Sequence, residues 1–236
     1  MQWRSRREAV YQGKTVSAWA RDLNGPDPLA RSNAGVALHA MGPVVVPFLV
    51  RSLNRRDSIF KRPYRSLAPK LPFWFRRLVV QRLKPFDALS DRLMAVHALS
   101  ALGTNAPVVP LVRALRDPEL IIAAPAATAL GNIGRSAVPE LIRALNDRDG
   151  RVRSLACYAL SMIGRDAGDA APALIQRLAD KEDNVHSSAA YSLGRLGKPG
   201  LAALIVALKN SDERIRAQAS RALGNWACWP ERPRLH

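Results

Sequence analysis

The sequence is poor in cysteine and in aromatic residues. Its two cysteines, Cys157 and Cys228, lie far apart, and each falls inside a helical pattern. This usage argues against a disulfide framework and against a cysteine-based zinc site. Aromatic residues make up 6% of the chain and hydrophobic residues 48%. We therefore expect a packed core that is built mostly from Leu, Ala, Val and Ile.

Long apolar runs are also missing. The stretches 44–50 and 120–133 are interrupted by proline and are shorter than the ~18 to 20 residues of a membrane span. The basic N-terminus MQWRSRREAV is not followed by the apolar segment of a signal peptide. We therefore expect a cytoplasmic location for the sequence as it stands, or a membrane-anchored one if a hydrophobic segment precedes Met1. No run of Val, Ile or Thr with period two predicts a sheet.

Negative charge is scarce, and the excess positive charge is concentrated in one segment. The chain carries 36 Lys and Arg against 19 Asp and Glu, which gives a net charge of +17. Residues 51–84 hold eleven of these basic residues against Asp57 alone, so this segment accounts for most of the excess. Residues 1–14 are a second, smaller basic stretch, which we predict to be an N-terminal tail.

What the sequence has in abundance is an internal repeat. The string Leu-x-x-x-Gly ends a helical pattern five times, and a sixth, degenerate copy has Ala227 in place of the glycine. The five complete copies begin at Leu38, Leu99, Leu130, Leu160 and Leu193, and the degenerate copy begins at Leu223. Most neighbouring copies are separated by about thirty residues, and the one longer gap equals about two units. A period of this length is typical of stacked helical repeats.

Each unit of the repeat consists of two short helices. The first follows an acidic turn that can cap it, has apolar residues at intervals of three and four, and ends at a glycine such as Gly134 or Gly164. The second often has proline in its first turn, at Pro47, Pro139 and Pro172, and continues as LIRAL, LIQRL or LIVAL. Pairs of this kind bury their apolar faces by stacking. We therefore predict an all-α fold, a right-handed α-solenoid.

The line AxxALGxIGxxAVPxLIxAL, preceded by Asp-x-x-Val-Arg, resembles the HEAT-like repeats first described in phycobilin lyase subunits. The resemblance covers about residues 27–57 and 89–227 and is strongest over 118–209. It implies the fold rather than the function, because such repeats serve in scaffolds, lyases, hydroxylases and DNA-binding enzymes alike. The segment YQGKTVSAWARDL, residues 11–23, resembles the start of bacterial HEAT-repeat proteins of unassigned function, several of which carry a hydrophobic anchor just upstream.

We predict one solenoid over residues 15–236, with a basic aromatic insertion at about 55–88 and a truncated last repeat from about 212. Prolines delimit a loop in the insertion and then a helix at 73–83, with Phe75, Leu78, Val79 and Leu83 facing the solenoid. Its basic and aromatic residues suit phosphate contacts with base stacking, or an anionic membrane surface. They equally suit a solvated helix that its rings attach to the stack. The candidate binding residues are Arg55, Arg56, Lys61, Arg62, Arg65, Trp74, Arg76, Arg77 and Arg82.

The second helices provide the other candidate site. In HEAT-type stacks they line the concave side, so one solvent-facing position per unit forms a row across that side. This second-helix row holds Arg51, Arg113, Arg143, Gln176 and Val206, and the neighbouring row holds Phe48, Pro110, Glu140, Ala173 and Ala203. A groove that is basic at one end and apolar at the other suits an acidic or amphipathic protein segment. A phosphate backbone and a solvated face without a ligand are the other interpretations.

Motifs for catalysis are missing from the sequence. The acidic residues fall in the turns between repeats, where capping explains them, and no two form an acid–base pair. Deoxyhypusine hydroxylase, a HEAT-repeat enzyme, holds iron through His-Glu pairs, whereas His39, His97 and His186 are followed here by Ala or Ser. Trp226 and Trp229 are similar to the aromatic residues of HEAT-like alkylpurine DNA glycosylases, but capping the open end of the stack is their simpler role.

We therefore predict a non-enzymatic scaffold, without cofactor or metal, that binds a protein partner. A binder of nucleic acid or anionic lipid and an enzyme of the lyase or glycosylase kind are the alternatives, and no small-molecule substrate is evident. For Arg153, Arg216 and His186, which follow the first apolar residue of their helices, we expect a structural role through contacts with acids in adjoining turns, such as Asp149 or Asp183.

Overall fold

The computed structural model of the chain describes residues 8–55, 68–75, 77 and 87–227. Contacts within the chain define two compact units, unit 1 over Met1–Leu102 and unit 2 over Gly103–His236. Each unit is considered by itself, and the arrangement of residues 15–236 as one solenoid domain stays a prediction.

Unit 1 begins with a short β-hairpin. Strand β1, Val10–Tyr11, pairs antiparallel with strand β2, Lys14–Thr15. The loop between them has positive φ at Gln12 (49°) and Gly13 (77°), as a two-residue hairpin turn of the I′ type requires. The indole of Trp19 donates a 3.0 Å hydrogen bond to the Tyr11 carbonyl and holds the hairpin on the helix that follows. No pattern in the sequence predicts this hairpin, because each strand has only two residues.

The α-helices that the described residues of unit 1 form in full are α1, Val16–Leu23; α2, Pro28–Met41; α3, Val46–Leu53; and α4, Asp87–Ala101. Asp27 caps α2, because its carboxylate accepts a 2.9 Å hydrogen bond from the Leu29 amide. The helix ends at Gly42, whose φ of 57° a glycine adopts at least cost. Helix α1 packs on α2, and α3 packs on α4. This packing buries Leu38 and Leu49.

Among the described residues, one helical stretch of unit 1 is long and apolar enough to cross a membrane. It runs over 26 residues from Pro28 to Leu53, and it is longer than any run that we identify in the sequence. Helices α2 and α3 share it, with the turn at Gly42 between them, and both pack on other helices of unit 1. Core helices of soluble proteins pass the same test of length and composition. The location of the protein therefore stays a prediction.

Unit 2 is a series of helix pairs. Its helices are α5, Val108–Ala114; α6, Leu120–Ile133; α7, Val138–Ala144; α8, Gly150–Ile163; α9, Ala171–Arg177; α10, Asp183–Arg195; α11, Lys198–Ala207; and α12, Glu213–Ala227. The longer, even-numbered helices are the first helices of the repeats, and the shorter, odd-numbered ones are the second. Gly134 and Gly164 end α6 and α8, and Pro139 and Pro172 lie in the first turns of α7 and α9, as the sequence predicts.

First helices stack on first helices in unit 2, and second helices on second helices. Helix α6 contacts α8, α8 contacts α10, and α10 contacts α12, while α5 contacts α7 and α9 contacts α11. The leucines of the repeated string, Leu130, Leu160 and Leu193, are fully buried. Each leucine buried in this way contributes about 1.5–3 kcal/mol. The predicted fold class, an all-α solenoid of stacked helix pairs, is confirmed.

The same hydrogen bond closes each turn between the repeats of unit 2. Two residues after the last leucine of the LIxAL string, a side-chain oxygen accepts a bond from the backbone amide two residues further on. The acceptors are Asp117, Asp147, Asp180 and Asn210. This Asx turn directs the chain into the next first helix, and it gives the acidic residues of the turns a structural purpose.

Candidate functional site

The second-helix row faces solvent in unit 2. In α5, α7, α9 and α11 the first leucine of the LIxAL string is fully buried. A side chain two residues later lies about 200° around the helix and points away from the core. Arg113, Arg143 and Gln176 are accordingly exposed, and Val206 is 73% exposed. The binding role of this row stays a prediction.

A groove of about 680 Å³ is formed by α9 and α11. Its lining is mostly apolar and includes Ile175, Ile205 and Val206, with Gln176 as a polar contributor. Lys209 is the one charged side chain among the described residues that line it. A concave, mostly apolar surface of this kind suits the side chains of a bound ligand or partner. The groove thus lies at the apolar end of the predicted surface.

Arg143 forms an ion pair with Glu140, one helical turn earlier on α7. An exposed pair of this kind contributes at most about 1 kcal/mol to stability, so its main effect is on charge. Because Glu140 compensates Arg143, the positive charge of the row in unit 2 is carried mainly by Arg113. Among the described residues, Arg113 has no ion-pair partner.

In unit 1, residues of both predicted sites line one cleft of about 380 Å³. Phe48 and Arg51 lie on α3, and Arg55 follows that helix. Asp91 of α4 forms an ion pair with Arg55. Arg51 has no ion-pair partner among the described residues, and it lines the cleft together with the ring of Phe48.

Two acidic side chains, those of Glu8 and Asp91, also line this cleft. Glu8 accepts hydrogen bonds from the hydroxyl (2.7 Å) and the amide (3.2 Å) of Ser17. Asp91 lies 36 residues from Arg55. Neither pairing follows a helical or repeat spacing, so no pattern in the sequence signals it. The two acids make the cleft less basic than the sequence alone indicates.

The structure describes only part of the insertion. Trp74 is 67% exposed, and Lys70, Phe73 and Arg77 are exposed as well. Trp74 and Phe75 meet edge to face, with ring centroids 5.6 Å apart. The other predicted binding residues of the insertion lie outside the described residues: Arg56, Lys61, Arg62, Arg65, Arg76 and Arg82. The same holds for Leu78, Val79 and Leu83 of the predicted apolar face, and for Trp229.

Arg153 is buried and joins two successive turns of unit 2. Its guanidinium donates hydrogen bonds to the carbonyl oxygens of Asp147 (2.9 Å) and Arg148 (3.1 Å) in the turn before α8. It also donates bonds of 2.8 and 2.6 Å to the carboxylate of Asp180 in the following turn. The side chains of Arg153 and Asp180 are only 5% and 4% exposed. The pair therefore binds one repeat to the next.

The predicted role of Arg153, a structural contact with acids of an adjoining turn, agrees with this geometry, but the two acids given as examples are not its partners. The carboxylates that it contacts are those of Asp180 and Glu182, and not those of Asp149 or Asp183. The reason is that its guanidinium reaches across to the next turn, whose side chains face it.

In unit 2, hydrogen bonds and ion pairs lower the pKa values of two carboxyl groups, those of Asp180 and Asp147. Burial acts to raise the pKa of Asp180, but hydrogen bonds from Arg153 and from the Glu182 amide hold that pKa below its usual value. The pKa of Asp147 is likewise lowered against the effect of burial, by the Asp149 amide and by Arg116. Both carboxyl groups lie in turns and outside the groove lining. Their shifts are those of structural groups.

Burial also shifts the pKa values of two other reactive groups, the Cys157 thiol and the His97 imidazole. Burial raises the pKa of the Cys157 thiol to about 12, so the thiol is protonated and weakly nucleophilic at neutral pH. Burial lowers the pKa of His97, whose Nδ1–H donates to the side-chain oxygen of Asn24. In the part of the chain that the structure describes, no three His, Cys, Asp or Glu side chains form a group able to hold a metal ion.

The family description of HEAT repeats matches residues 108–194 and 171–227, which together span about half of the 236 residues. No curated protein matches the chain in sequence.

Among solved structures, the complex of CpcE and CpcF of phycocyanin lyase from Nostoc sp. PCC7120 is similar at 20% identity and a TM-score of 0.42, over 95% of this chain and 80% of that chain. A designed armadillo repeat protein in complex with the peptide (KR)4 is 16% identical, with a TM-score of 0.41, over 90% and 100% of the two chains. Human deoxyhypusine hydroxylase in complex with glycerol is 19% identical, with a TM-score of 0.40, over 91% and 96%.

Proposed function

The chain belongs to the family of HEAT-repeat proteins, and we propose that it is a non-catalytic scaffold that binds a protein partner through the second helices of unit 2. The observation that carries this proposal is the apolar groove of α9 and α11, in which Ile205 and Val206 are 52% and 73% exposed. Exposed apolar side chains that gather in one groove mark sites of association. Stacked repeats present such surfaces side by side, and this arrangement suits an extended partner.

The charge of the groove lining indicates which kind of partner segment would bind there. Lys209 lines the groove, and no acidic side chain is among the described residues that line it. A partner segment with apolar residues on one side and carboxylates on the other would fill the groove and meet the ammonium group of Lys209. We therefore propose an acidic or amphipathic protein segment as the ligand.

The chemistry of the described residues supports a role in binding rather than in catalysis. The carboxyl groups with lowered pKa values, Asp147 and Asp180, are committed to ion pairs with arginine. The Cys157 thiol is buried and protonated at neutral pH. The groove itself is lined by apolar, amide and ammonium groups, which position a ligand but do not supply an acid–base pair.

Site-specific photocrosslinking in living cells tests the proposed function. A photoreactive amino acid would replace Gln176 at the groove or, as the matched control, Ser187, which is exposed on the first helix α10. We expect a discrete protein adduct from position 176 and none from position 187, with the adduct identified by mass spectrometry. Equal adducts from both positions, adducts with nucleic acid or lipid only, or no adduct at position 176 would contradict the proposal.

A second candidate function is binding to an anionic surface through the insertion. The specific observation is that Phe73 and Trp74 are exposed close in sequence to the exposed basic residues Lys70 and Arg77. Aromatic rings beside cations suit stacked bases or lipid headgroups. Labelled DNA, labelled RNA and vesicles with an anionic lipid would each be titrated over a salt series up to physiological ionic strength.

Binding that survives ~0.15 M salt with a steep salt slope would support this second candidate, and loss of binding by that concentration would contradict it. Charge reversal at Arg76, Arg77 and Arg82 should then abolish binding. Charge reversal at Arg51, Arg113 and Arg143 should leave it intact. The nucleic acid and vesicle arms distinguish the two kinds of surface.

A further inference from the structure

Two tyrosines face solvent at equivalent positions of neighbouring first helices in unit 2. Tyr158 of α8 and Tyr191 of α10 each lie two residues before the leucine of the repeated string. They are 44% and 47% exposed. Helix α8 packs between α6 and α10, and α10 packs between α8 and α12. Both tyrosines thus lie on helices that have a first helix on either side, and their exposure does not depend on an end of the stack.

Hydrogen bonds between α8 and α10 fix the backbones at the two tyrosines side by side. The hydroxyl of Ser192, the residue after the tyrosine of α10, donates a 2.6 Å bond to the carbonyl oxygen of Cys157, the residue before the tyrosine of α8. One helical turn earlier, the hydroxyl oxygens of Ser154 and Ser188 are hydrogen-bonded at 3.0 Å. The two rings therefore project from adjacent helices in a fixed register, about 8–10 Å apart as packed helices are.

Arginines extend this face, and acidic side chains are scarce on its helices. Arg195 lies one turn after Tyr191 on α10, and Arg221 of α12 has the position that the tyrosines have on α8 and α10. Both arginines are exposed. Helices α8, α10 and α12 carry two acidic residues, Asp183 and Glu213, and both lie in the first turn of their helix. We call the following four residues the tyrosine platform: Tyr158, Tyr191, Arg195 and Arg221.

We propose that the tyrosine platform binds single-stranded nucleic acid, with unpaired bases stacked on the two rings and phosphates held by the two arginines. Aromatic rings beside cations bind single strands in this way without reading their sequence. Rings about 8–10 Å apart are farther from each other than bases stacked at a rise of 3.4 Å. The bound bases must therefore separate from each other, which a flexible single strand allows and a paired duplex resists.

The composition of this face favours a nucleic acid over an apolar protein segment. Besides the tyrosines, Met162 is the one large apolar side chain exposed on α8 and α10, whose residues the structure describes in full. The groove of α9 and α11, by contrast, is lined mostly by aliphatic side chains. A polymer of flat rings and negative charges matches alternating rings and cations. This function goes beyond the proposed scaffold role and uses the first helices, so it does not depend on that role.

Fluorescence anisotropy with the full chain tests the proposal. The probes are labelled oligonucleotides of about twenty nucleotides, which exceeds the site size of one such platform: a DNA strand, an RNA strand and a DNA duplex. In ~0.15 M salt, where diffuse attraction between exposed charges is screened, we expect a single strand to bind at least about tenfold more tightly than the duplex. The DNA and RNA arms distinguish the two kinds of strand. No binding at this salt concentration, or equal binding of strand and duplex, would overturn the proposal.

Tyr191→Ala and Val109→Ala form a matched pair of variants, because the two residues are 47% and 46% exposed and Val109 lies on the second helix α5. Tyr191→Ala should weaken strand binding at least about fivefold through the loss of one stacked base, and Tyr191→Phe should restore it. Val109→Ala should leave binding unchanged, and thermal melts would verify that the variants fold. Independently, Arg221→Gln should lower the slope of log affinity against log salt by about 0.7–1, which corresponds to one phosphate contact.

Weakening by Tyr191→Ala that is no greater than that of its control would overturn the proposal. Strand binding that survives Tyr191→Ala but is lost on charge reversal at Arg76, Arg77 and Arg82 would also overturn it, because the insertion would then be the site. A photoreactive amino acid at Ser187, one turn before the tyrosine of α10, should crosslink to nucleic acid and to no protein. A discrete protein adduct there would make a protein the occupant of this face, whatever the outcome at the groove.

Discussion

The middle of unit 2 and its C-terminal end use the same residue in the same place with different results. Arg153 and Arg216 each donate hydrogen bonds to two carbonyl oxygens of the preceding turn. Arg153 also reaches the buried Asp180 of the following turn, whereas Arg216 has no carboxylate partner among the described residues. Both arginines thus hold the turn that precedes them, but only Arg153 is seen to pair with a carboxylate of the turn that follows.

Some contacts of a repeat form within one turn, and others form only between neighbouring repeats. The Asx turn forms at Asn210 as it does at Asp180, because it needs only residues of one turn. Burial of Leu178 and the ion pair of Arg153 involve the following repeat, whereas Leu208 is 40% exposed and Arg216 has no carboxylate partner among the described residues.

The largest expected effect comes from breaking the buried ion pair. Arg153→Met leaves Asp180 buried with only the more distant Arg177, at 3.6 Å, and should lower the free energy of unfolding by about 3–5 kcal/mol. Arg216→Met, the matched change at the end, removes no ion pair and should cost about 1 kcal/mol or less. Urea denaturation of both variants measures the difference. Equal losses would show that the bonds to the carbonyl oxygens, which the two arginines share, carry the stability.

Truncation of equivalent leucines sharpens the same comparison. Leu178 is 1% exposed and Leu208 is 40% exposed. Leu178→Ala creates a cavity and should cost about 2–5 kcal/mol, whereas Leu208→Ala removes surface that already contacts water and should cost about 1 kcal/mol. The two melting temperatures provide the measurement. Similar losses would mean that Leu208 is covered in solution and that the end is closed.

The parts of the molecule that could be predicted from the sequence are those set by local spacing. The glycine stop at Gly164 and the first-turn proline at Pro172 depend on residues within one helix pair, so the repeat period sufficed to predict the fold. The particular acid that pairs with Arg153 could not be identified, because Asp180 lies 27 residues away and faces it only after two turns have been placed side by side.

The candidate sites show the same limit. The row of Gln176 and Val206 follows from the helical period, but the exposure of Ile205 depends on what packs on α11 and not on any pattern in α11 itself. In unit 1, Asp91 pairs with Arg55 across 36 residues, which no repeat spacing predicts. Local spacing thus predicts which residues face outward, and tertiary packing decides which of them meet.

Two glycines test how closely the helices of the last pairs approach each other. A β-carbon at Gly200 of α11 would overlap the carbonyl oxygen of Leu193, whereas one at Gly224 of α12 would meet no atom within 4 Å. Gly200→Ala should therefore cost about 1–3 kcal/mol through overpacking. Gly224→Ala should stabilise the protein by about 0.5–1 kcal/mol, because alanine favours the helix. Chemical denaturation of the two variants gives both values, and a loss at Gly224 would mean that another helix already lies against it.

The smallest expected effect is a difference in acid sensitivity between the middle and the end. The fold lowers the pKa of Asp180, so the folded state binds fewer protons there than the unfolded state does. The resulting stability is fully present above the unfolded pKa of about 3.9 and is lost as the pH falls through the folded pKa, at about 1.4 kcal/mol for each pKa unit of difference. The equivalent residue at the end, Asn210, does not titrate.

The free energy of unfolding of the native protein should therefore fall between about pH 5 and pH 3. Asp180→Asn starts from a lower stability, because Arg153 loses the nearer of its two carboxylate partners, but its stability should fall less over the same range. The part of the decline that remains belongs to groups such as Asp147, whose pKa is also lowered. Parallel curves for the two proteins would show that Asp180 does not contribute to acid sensitivity.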